Sequence, residues 1–327
     1  MTLPSAGPSG RGVSDTTASG RVRAPRRGST PTISVVIASN RERHLLQACI
    51  ASLQDQCELM RAEMVVARAA TPPDAATLGK MYPGISFIDA PASATIPELR
   101  ALGMSAATGD IVALTEDHCV ADEHWLETLT RHAADGADVV GGGMDNAQRA
   151  RIVDWAAYFS EYGFFAPGRP ARPEPPDRPP LLTGANVAYS RRIVGDVIEW
   201  ARKGEWENVA HDRLFSRGSV MCFADTAAIY QNQTYTVPGF CRDRYEHGRD
   251  YARKRLAEDA TAPRWLLFAA TPALPLLLSW RVSKAVGQKR RGAFLRALPT
   301  TVMFFAAWAL GEAAGYVRGP AAPTANS

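Results

Sequence analysis

Short apolar runs rich in β-branched residues alternate with helical patterns in the first half of this chain. The runs occupy residues 33–38, 64–67, 85–88 and 111–114. Between the first two runs, the apolar residues from Leu45 to Leu53 recur at helical spacing, and residues 97–107 also predict a helix. Strands that alternate with helices favour an α/β fold, a mostly parallel sheet covered by helices on both faces. Ligands in such folds bind beyond the carboxyl ends of the strands, so the residues after each run are the first candidates for a site.

The charge distribution indicates a lipid partner and gives no indication of nucleic acid. The chain has 37 Lys and Arg against 33 Asp and Glu, a net charge of +4, whereas nucleic-acid binders concentrate basic charge on one face. The basic clusters lie in the N-terminal tail and between two apolar stretches near the C-terminus. Basic clusters beside apolar segments are typical of contact with anionic membrane lipids.

The cysteines and the N-terminal residues predict a cytoplasmic location. The five cysteines are odd in number and form no C-x-x-C pair, which indicates neither a disulfide framework nor a zinc site and suits a reducing compartment. Residues 1–31 are rich in Gly, Ser, Thr, Pro and Arg and contain no apolar run. We expect this segment to be a disordered basic tail and not a secretory signal.

Two apolar segments near the C-terminus predict membrane association. Residues 265–280 are apolar but short, and they contain Pro272 and Pro275. Residues 298–317 carry one charge, Glu312, and are long enough to cross a bilayer. If both segments crossed, the basic loop between them would lie opposite the cytoplasm, against the usual topology. We therefore favour monotopic anchoring, with one span as an open alternative; two buried helices of a soluble domain are the other alternative.

The end of the fourth run carries three side chains that can bind metal. Glu116, Asp117 and His118 follow the strand directly, and Glu116 and His118 point to the same side of an extended chain. A carboxylate and an imidazole can hold Mn²⁺ or Mg²⁺, with a nucleotide diphosphate completing the shell. The alternative is an acidic capping turn before a helix over residues 121–131, with His118 on the surface.

The order of several motifs resembles the family 2 glycosyltransferases, which have the GT-A fold. These motifs are a small or polar triplet after the first strand, an Arg-x-x-Gly helix, a metal motif after the fourth strand, and a Trp-Leu pair. They occupy residues 38–40, 100–103, 116–118 and 125–126. Glu-Asp-His stands where the family has Asp-x-Asp. The resemblance covers roughly residues 32–235 and implies sugar transfer from a nucleotide-sugar donor to a hydroxyl acceptor, assisted by Mn²⁺ or Mg²⁺.

The resemblance also implies which residues bind the donor. The expected donor-binding residues are Ser39, Asn40, Arg41, Asp89, Arg100 and Asp117. The family usually has an acidic, Ser-containing turn after the second strand, which holds the base of the nucleotide. Here residues 67–74 read ARAATPPD, so the base cannot be identified, and Asp89 and Arg100 remain the candidates for base and phosphate contacts.

Residues 181–189 resemble the strand that shapes the family's acceptor pocket. The expected acceptor-binding residues are Thr183, Gly184, Ala185, Asn186 and Trp206. A glycine there would let the backbone approach a sugar closely, although a plain turn before a strand has the same pattern. Trp206 is either a stacking surface for a sugar ring or a core residue. The proline-rich segment over residues 167–180 is either a stiff surface loop or a loop over the acceptor side.

Two carboxylates compete for the role of general base. Counting back from Gly218, Glu207 stands where the family has the carboxylate that deprotonates the acceptor, and Asp212 is the competitor. A solvated charge on a helix is the alternative for each. The histidine that many relatives have after the last core strand is replaced by Gln231 and Asn232. Arg244 and Arg249 lie in a charged segment that either clamps diphosphate or forms a solvated helix face.

Together these features predict a disordered basic tail over residues 1–31, a GT-A catalytic domain over 32–235 and a membrane-associated helical region over 236–327. The expected enzyme is an inverting, metal-assisted glycosyltransferase at the cytoplasmic face of the inner membrane. Its expected acceptor is a lipid-linked or cell-envelope glycan. A non-catalytic membrane-docked sugar-binding scaffold is the first alternative. A nucleotidyltransferase would need a Gly-rich loop after the first strand, and residues 39–43 contain no glycine.

Overall fold

The computed structural model describes residues 31–168, 178–257 and 262–320. The predicted N-terminal tail lies almost entirely outside these residues, and so does the centre of the proline-rich segment. The described residues that follow the tail form one compact unit. The predicted boundary between residues 235 and 236 stays a prediction.

One mixed sheet forms the centre of the described molecule, which confirms the predicted α/β class. Its strands are β1 (Ile33–Ser39), β2 (Glu63–Ala69), β3 (Ile85–Ala90), β4 (Ile111–Glu116), β5 (Cys119–Ala121), β6 (Val139–Asn146), β7 (Val187–Ser190) and β8 (Met221–Gln231). The order is β3-β2-β1-β4-β7-β6-β8-β5. The pairs β1/β2, β1/β4, β2/β3 and β6/β8 are parallel, and the other three are antiparallel. The carboxyl ends of β1, β2 and β4 therefore meet at one edge, where a ligand site is expected.

Helices cover both faces of the sheet. They are α1 (Arg43–Met60), α2 (Ala75–Met81), α3 (Ile96–Ala106), α4 (Trp125–Ala134), α5 (Ile152–Glu161), α6 (Arg191–Arg202), α7 (Glu207–Ser216), α8 (Val237–Ala257), α9 (Arg264–Ala270), α10 (Leu274–Ala285) and α11 (Arg291–Arg318). Helix α3 begins with a capping box. The Thr95 side chain accepts from the backbone N–H of Glu98, and the Glu98 side chain accepts from the backbone N–H of Thr95. The cap fixes the start of the helix that carries Arg100.

The segment after the metal motif differs from the helix predicted over residues 121–131. Residues Cys119–Ala121 form the short strand β5, and helix α4 begins only at Trp125. The reason is edge pairing: Cys119 lies opposite Gln231, and Asn232 N donates to His118 O over 2.7 Å. Strand β8 thereby holds the backbone of His118, and the imidazole is 4% exposed instead of lying on the surface.

The C-terminal helices pack on the sheet-containing part through α5, α8 and α11. The ring of Phe159 on α5 meets Phe294 on α11 edge to face, with centroids 5.1 Å apart. Helical stretches Arg264–Ala285 and Gln288–Arg318 are each long and apolar enough to cross a membrane by length and composition, among the described residues. Buried core helices pass the same test, so this observation alone gives weak support to membrane association.

Candidate active site

Asp117 joins the loop after β1 to the metal motif after β4. Its backbone N donates to Ala38 O over 3.1 Å. Its Oδ2 accepts from Ser39 Oγ over 2.8 Å and from the backbone N of Arg41 over 2.7 Å. These bonds form because β1 and β4 are parallel neighbours in register, with Ala38 beside Glu116. Three of the residues predicted to bind the donor, Ser39, Arg41 and Asp117, are therefore in direct contact.

His118 is buried beside both carboxylates of the motif. Its Nε2 lies 3.3 Å from Tyr162 Oη. Its Nδ1 lies 3.6 Å from Glu116 Oε2 and 3.8 Å from Asp117 Oδ1. Burial lowers the pKa of His118, but Cys119, Asp117 and Glu116 outweigh it and raise this pKa above its ordinary range. The two neighbouring carboxylates thus favour the protonated form of this imidazole.

The unpaired atoms of this motif fit a divalent cation. Asp117 Oδ1 and His118 Nδ1 are buried and have no hydrogen-bond partner, although buried polar atoms normally have one. Ligands of one Mg²⁺ lie about 2.1 Å from it, so two of them can be at most about 4.2 Å apart. The distances from His118 Nδ1 meet this limit. Because no group of three or more His, Cys, Asp or Glu in the described residues could hold a metal ion, other oxygens must complete the shell.

Arg100 connects the metal motif to the candidate base. Its Nη2 lies 2.5 Å from Glu116 Oε1, and its Nη1 lies 2.8 Å from Glu207 Oε2. Burial alone would lower the pKa of Arg100. The opposite effect of Glu207 and Glu116 is larger, so the pKa of Arg100 is raised above its ordinary value. Burial raises the pKa of Glu207, whereas Arg100 and the N–H of Gly184 lower it below the ordinary value. Glu207 is therefore ionised, and it shares one buried cation with Glu116.

Gly184 supports this unit through its backbone and through the space that it leaves. Its N donates to Glu207 Oε1 over 3.0 Å. A Cβ built on Gly184 would lie 2.6 Å from Cζ of Arg100, closer than a real Cβ contact. The guanidinium lies directly against the backbone of residue 184, so the position must be glycine for Arg100 to reach both carboxylates.

Replacing Gly184 with alanine should lower the free energy of unfolding by about 1–3 kcal/mol, because the methyl group must push the buried guanidinium aside. Transfer activity should fall with it. Urea denaturation of both proteins checks the first expectation. The matched control is Gly195→Ala in α6, where the added Cβ has nothing within 4 Å and alanine is the better helix former. Equal stability of the two variants would contradict the packing described.

Of the five predicted acceptor residues, four are buried and only Trp206 is exposed. Asn186 accepts from Trp125 Nε1 over 2.7 Å and donates to two backbone carbonyls over 2.8 Å each, so its side chain is used in the core. Thr183 and Ala185 are buried, and Ala185 N donates to Thr183 Oγ1 over 3.3 Å. Gly184 and Trp206 adjoin Glu207, and Trp206 is 40% exposed.

Asp212, the competing carboxylate, lies on the exposed face of α7. Its neighbour His211 is buried and lies 2.9 Å from Tyr189 Oη. Burial, with a smaller contribution from Arg100, lowers the pKa of His211 to about 4, although Glu207 opposes this shift. His211 is therefore neutral in the folded protein at neutral pH and packs behind Glu207.

The lowered pKa of His211 predicts a loss of stability in mild acid. The unfolded chain binds this proton below about pH 6.5 and the folded protein only near about pH 4, so stability falls as the pH drops through this window. The contribution of His211 should be a loss of about 1.4 kcal/mol by about pH 5.5. Urea denaturation at several pH values measures it. A His211→Gln variant should have a flatter profile; an unchanged slope would contradict the assignment.

The residues predicted to bind the donor adjoin an ion pair that the sequence pattern did not reveal. Arg68 Nη1 donates to Ser39 Oγ over 2.7 Å, and Arg68 Nε donates to Asp74 Oδ1 over 2.7 Å. Asp89 is exposed, and its Oδ1 accepts from the backbone N of Ala75 over 3.2 Å. The signal for Arg68 was its place at the carboxyl end of β2, beside the end of β1.

Residues of β8 and α8 complete the surroundings of His118. Gln231 Nε2 donates to Tyr235 Oη over 2.7 Å, whereas Gln231 Oε1 is buried without a partner. Arg244 Nη2 lies 2.8 Å from Glu161 Oε1 and 2.7 Å from His247 Nδ1. Arg249 lies 3.1 Å from its neighbour Asp250. The guanidinium of Arg244 thus already has a carboxylate partner in the fold.

Fold and sequence together define the class of protein: an α/β transferase of the GT-A type. The model of the family described as Glycosyl transferase family 2 matches residues 34–198, just over half of the chain. The chain therefore belongs to glycosyltransferase family 2 and is a glycosyltransferase. This membership favours sugar transfer over the nucleotidyltransferase alternative. No curated protein matches the sequence significantly.

A solved structure with a similar fold is a mannosyltransferase, PcManGT from Pyrobaculum calidifontis, in complex with GDP-Man and Mn²⁺. The TM-score is 0.50 and the sequence identity 16%, and the alignment covers 88% of this chain and 89% of that one. At this identity the likeness concerns the fold alone.

Proposed function

We propose that this glycosyltransferase transfers a sugar from a nucleoside-diphosphate donor to a hydroxyl acceptor with inversion, using Glu207 as the base and Glu116 with His118 as metal ligands. The observation that carries the proposal is the buried Glu116–Arg100–Glu207 unit. It fixes the candidate metal ligand and the candidate base on either side of one guanidinium, at the carboxyl edge of the sheet.

The donor diphosphate is proposed to bind beside Glu116 and His118. The metal, Mn²⁺ or Mg²⁺, would neutralise negative charge on the diphosphate. The unpartnered Asp117 Oδ1 and His118 Nδ1 support this location, and the structural neighbour was solved with GDP-Man and Mn²⁺. Ser39, Asn40 and Arg41 would contact the nucleotide after β1. Asp89 would lie farther along the same edge, at the carboxyl end of β3.

Glu207 is suited to accept the proton of the acceptor hydroxyl. Its pKa is lowered, so it is ionised at neutral pH. Each of its oxygens accepts one hydrogen bond, from Arg100 and from Gly184, and a carboxylate has about four lone-pair sites. One further hydrogen bond from an acceptor is therefore possible. Attack by that hydroxyl opposite the leaving group would invert the anomeric configuration.

Arg100 acts in this proposal as a positioning residue and not as a phosphate ligand. Both of its Nη atoms are paired with carboxylates, and its side chain is 6% exposed. A fixed cation between Glu116 and Glu207 keeps the two carboxylates from repelling each other and holds the base in one orientation.

The acceptor is proposed to be a lipid-linked or cell-envelope glycan delivered at the cytoplasmic face of the inner membrane. The apolar C-terminal helices support membrane association. The exposed ring of Trp206, next to Glu207, would stack on the acceptor sugar, since one face of an indole suits a sugar ring. Residues 32–235 would form the catalytic domain and residues 236–327 its membrane-associated part.

The test is a transfer assay with radiolabelled sugar nucleotides. Purified protein would be incubated with UDP-, GDP- and dTDP-sugars, Mn²⁺ and a bacterial membrane-lipid extract. The expected result is label in the lipid fraction from one nucleotide class, lost on chelation with EDTA, with an inverted anomeric bond by NMR. Retention of configuration would overturn the proposed mechanism. Absence of transfer and of donor hydrolysis with every nucleotide would overturn the proposed substrate class.

A further inference from the structure

Helices α9 and α10 expose large apolar side chains that no described part of the chain covers. No residue of α9 is buried, and only Ser279 and Val282 of α10 are buried. The exposed side chains are Trp265, Leu266, Phe268, Leu276, Leu277 and Trp280; we name them the C-terminal apolar face. Large exposed apolar patches are rare on water-soluble proteins, and they mark contact with a partner or a membrane.

The charges around this face are of one sign. Residues 262–311 contain seven Lys or Arg and no Asp or Glu. Arg281 and Lys284 continue α10 beyond Trp280, and Lys289 and Arg291 follow in the turn before and at the start of α11; all four are exposed. Apolar side chains with a basic fringe complement the interface of a bilayer that contains anionic lipid.

Helix α11, the longer apolar segment, is packed tightly against α8. A methyl group at Gly311 would overlap Tyr245 O, and one at Gly248 would overlap Trp308 O. A Cβ at Gly315 would lie 2.5 Å from Arg249 O. Three glycines thus let the two backbones approach closely, as small residues do at helix crossings. The part of α11 from Trp308 onward is fixed to α8.

The composition of α8 keeps this part of α11 out of the hydrocarbon region. Nine of the 21 residues of α8 are Asp, Glu, Lys or Arg. A charged side chain at the centre of a bilayer is strongly unfavourable, and α8 would have to enter together with α11. Toward its N-terminus, α11 packs on α5 through Phe294. Although only 33% of the most apolar window of α11 is buried inside the protein, a span by α11 would carry the charges of α8 into the bilayer.

We propose that the C-terminal apolar face lies flat in the headgroup region of an anionic bilayer, and that α11 supports it without crossing. This inference deepens the membrane location proposed above. It is independent of the transfer chemistry, because vesicle binding is measured without substrates. The apolar side chains would reach the acyl boundary, and the basic residues would contact lipid phosphates.

The turn between α10 and α11 ties this face to the catalytic part. Arg290 Nε and Nη2 lie 2.8 and 2.7 Å from the two carboxylate oxygens of Asp145, and Arg290 Nη1 donates to Pro167 O over 2.7 Å. Asp145 belongs to β6. A bidentate pair of this kind fixes orientation as well as distance, so the sheet would have a defined height above the bilayer.

The experiment is flotation of the full chain with phosphatidylcholine vesicles, with and without phosphatidylglycerol. The wild-type protein should float with the anionic vesicles. A Leu276→Glu/Trp280→Glu variant should bind these vesicles at least about tenfold more weakly. Two apolar side chains that would insert into the bilayer are replaced by negative charges, which the anionic surface repels. These side chains are 72% and 60% exposed in the protein itself, so the fold should persist, with the melting temperature as the check.

The matched control is Leu59→Glu, which changes a side chain that is 86% exposed at the end of α1 and should bind vesicles like the wild type. Alkaline carbonate should release the wild-type protein, since interfacial proteins are extracted and spanning ones are not. Equal vesicle binding by the double variant, or no vesicle binding by the wild type, would overturn the proposal that the C-terminal apolar face binds the bilayer. Resistance to carbonate would overturn the flat orientation, and a dimer broken by the double variant would assign the face to a second copy.

Discussion

Glu207→Gln should reduce the turnover number roughly 100- to 10,000-fold, the usual contribution of a positioned general base. The amide keeps the shape of the side chain and its oxygen can still accept from Gly184, but it cannot take the acceptor proton. Donor binding should be retained, because Glu207 lies on the acceptor side of Arg100 in the proposed arrangement. The measurement is kcat with the identified donor, alongside the dissociation constant of the nucleotide.

The matched control for this prediction is Asp212→Asn. Asp212 lies in the same helix, but it is exposed, so its substitution should leave kcat within about twofold, as is usual for surface positions. A large loss in Asp212→Asn with near-normal turnover in Glu207→Gln would reverse the assignment of the base. Loss of nucleotide binding in Glu207→Gln would show that the substitution acts through the donor site.

Arg100→Met should be the most destabilising single substitution in the site. Removing one partner of a buried ion pair costs about 3–5 kcal/mol, because the remaining charge is left uncompensated, and here two carboxylates lose the same cation. Methionine retains much of the volume, so the loss reports charge more than packing. Urea denaturation gives the free energy of unfolding, and the activity of the folded fraction should also be lost.

A double variant separates the electrostatic cause from packing. Adding Glu207→Gln to Arg100→Met removes one uncompensated carboxylate, so the double variant should be more stable than Arg100→Met alone. Arg100→Lys should be intermediate, since an ammonium carries the charge but cannot place two nitrogens in the fixed fork of a guanidinium. A stability of Arg100→Met within about 1 kcal/mol of the wild type would contradict a buried three-residue unit.

Local sequence patterns predicted the sheet and the place of the site. Strands β1–β4 coincide with the four apolar runs, since β-branched runs bounded by polar residues carry their own strand signal. Their parallel order then requires that Ser39 and Asp117 meet, although they are 78 residues apart. The roles proposed for Glu116, His118 and Glu207 remain predictions, drawn from motif order and now joined by a shared contact with Arg100.

The features that sequence reasoning missed depend on contacts between distant segments. Strand β5 was not predicted, and the helix was predicted to begin at residue 121, because residues 119–121 have no strand signal of their own. Pairing with Gln231 on β8 creates the strand. The pairing of Arg100 with two carboxylates depends on the space left by Gly184, 84 positions along the chain. The Arg68–Asp74 pair was missed because both residues follow the second apolar run, and their contact depends on how the chain turns between them.

The most direct test of the central claim, a metal-dependent nucleotide site at Glu116 and His118, is calorimetric titration of the purified protein with UDP, GDP and dTDP, with and without Mn²⁺. One nucleotide should bind in the presence of Mn²⁺, and a Glu116→Ala/His118→Ala variant should lose that binding while remaining folded. Binding of equal strength without metal, or in the variant, would contradict the account.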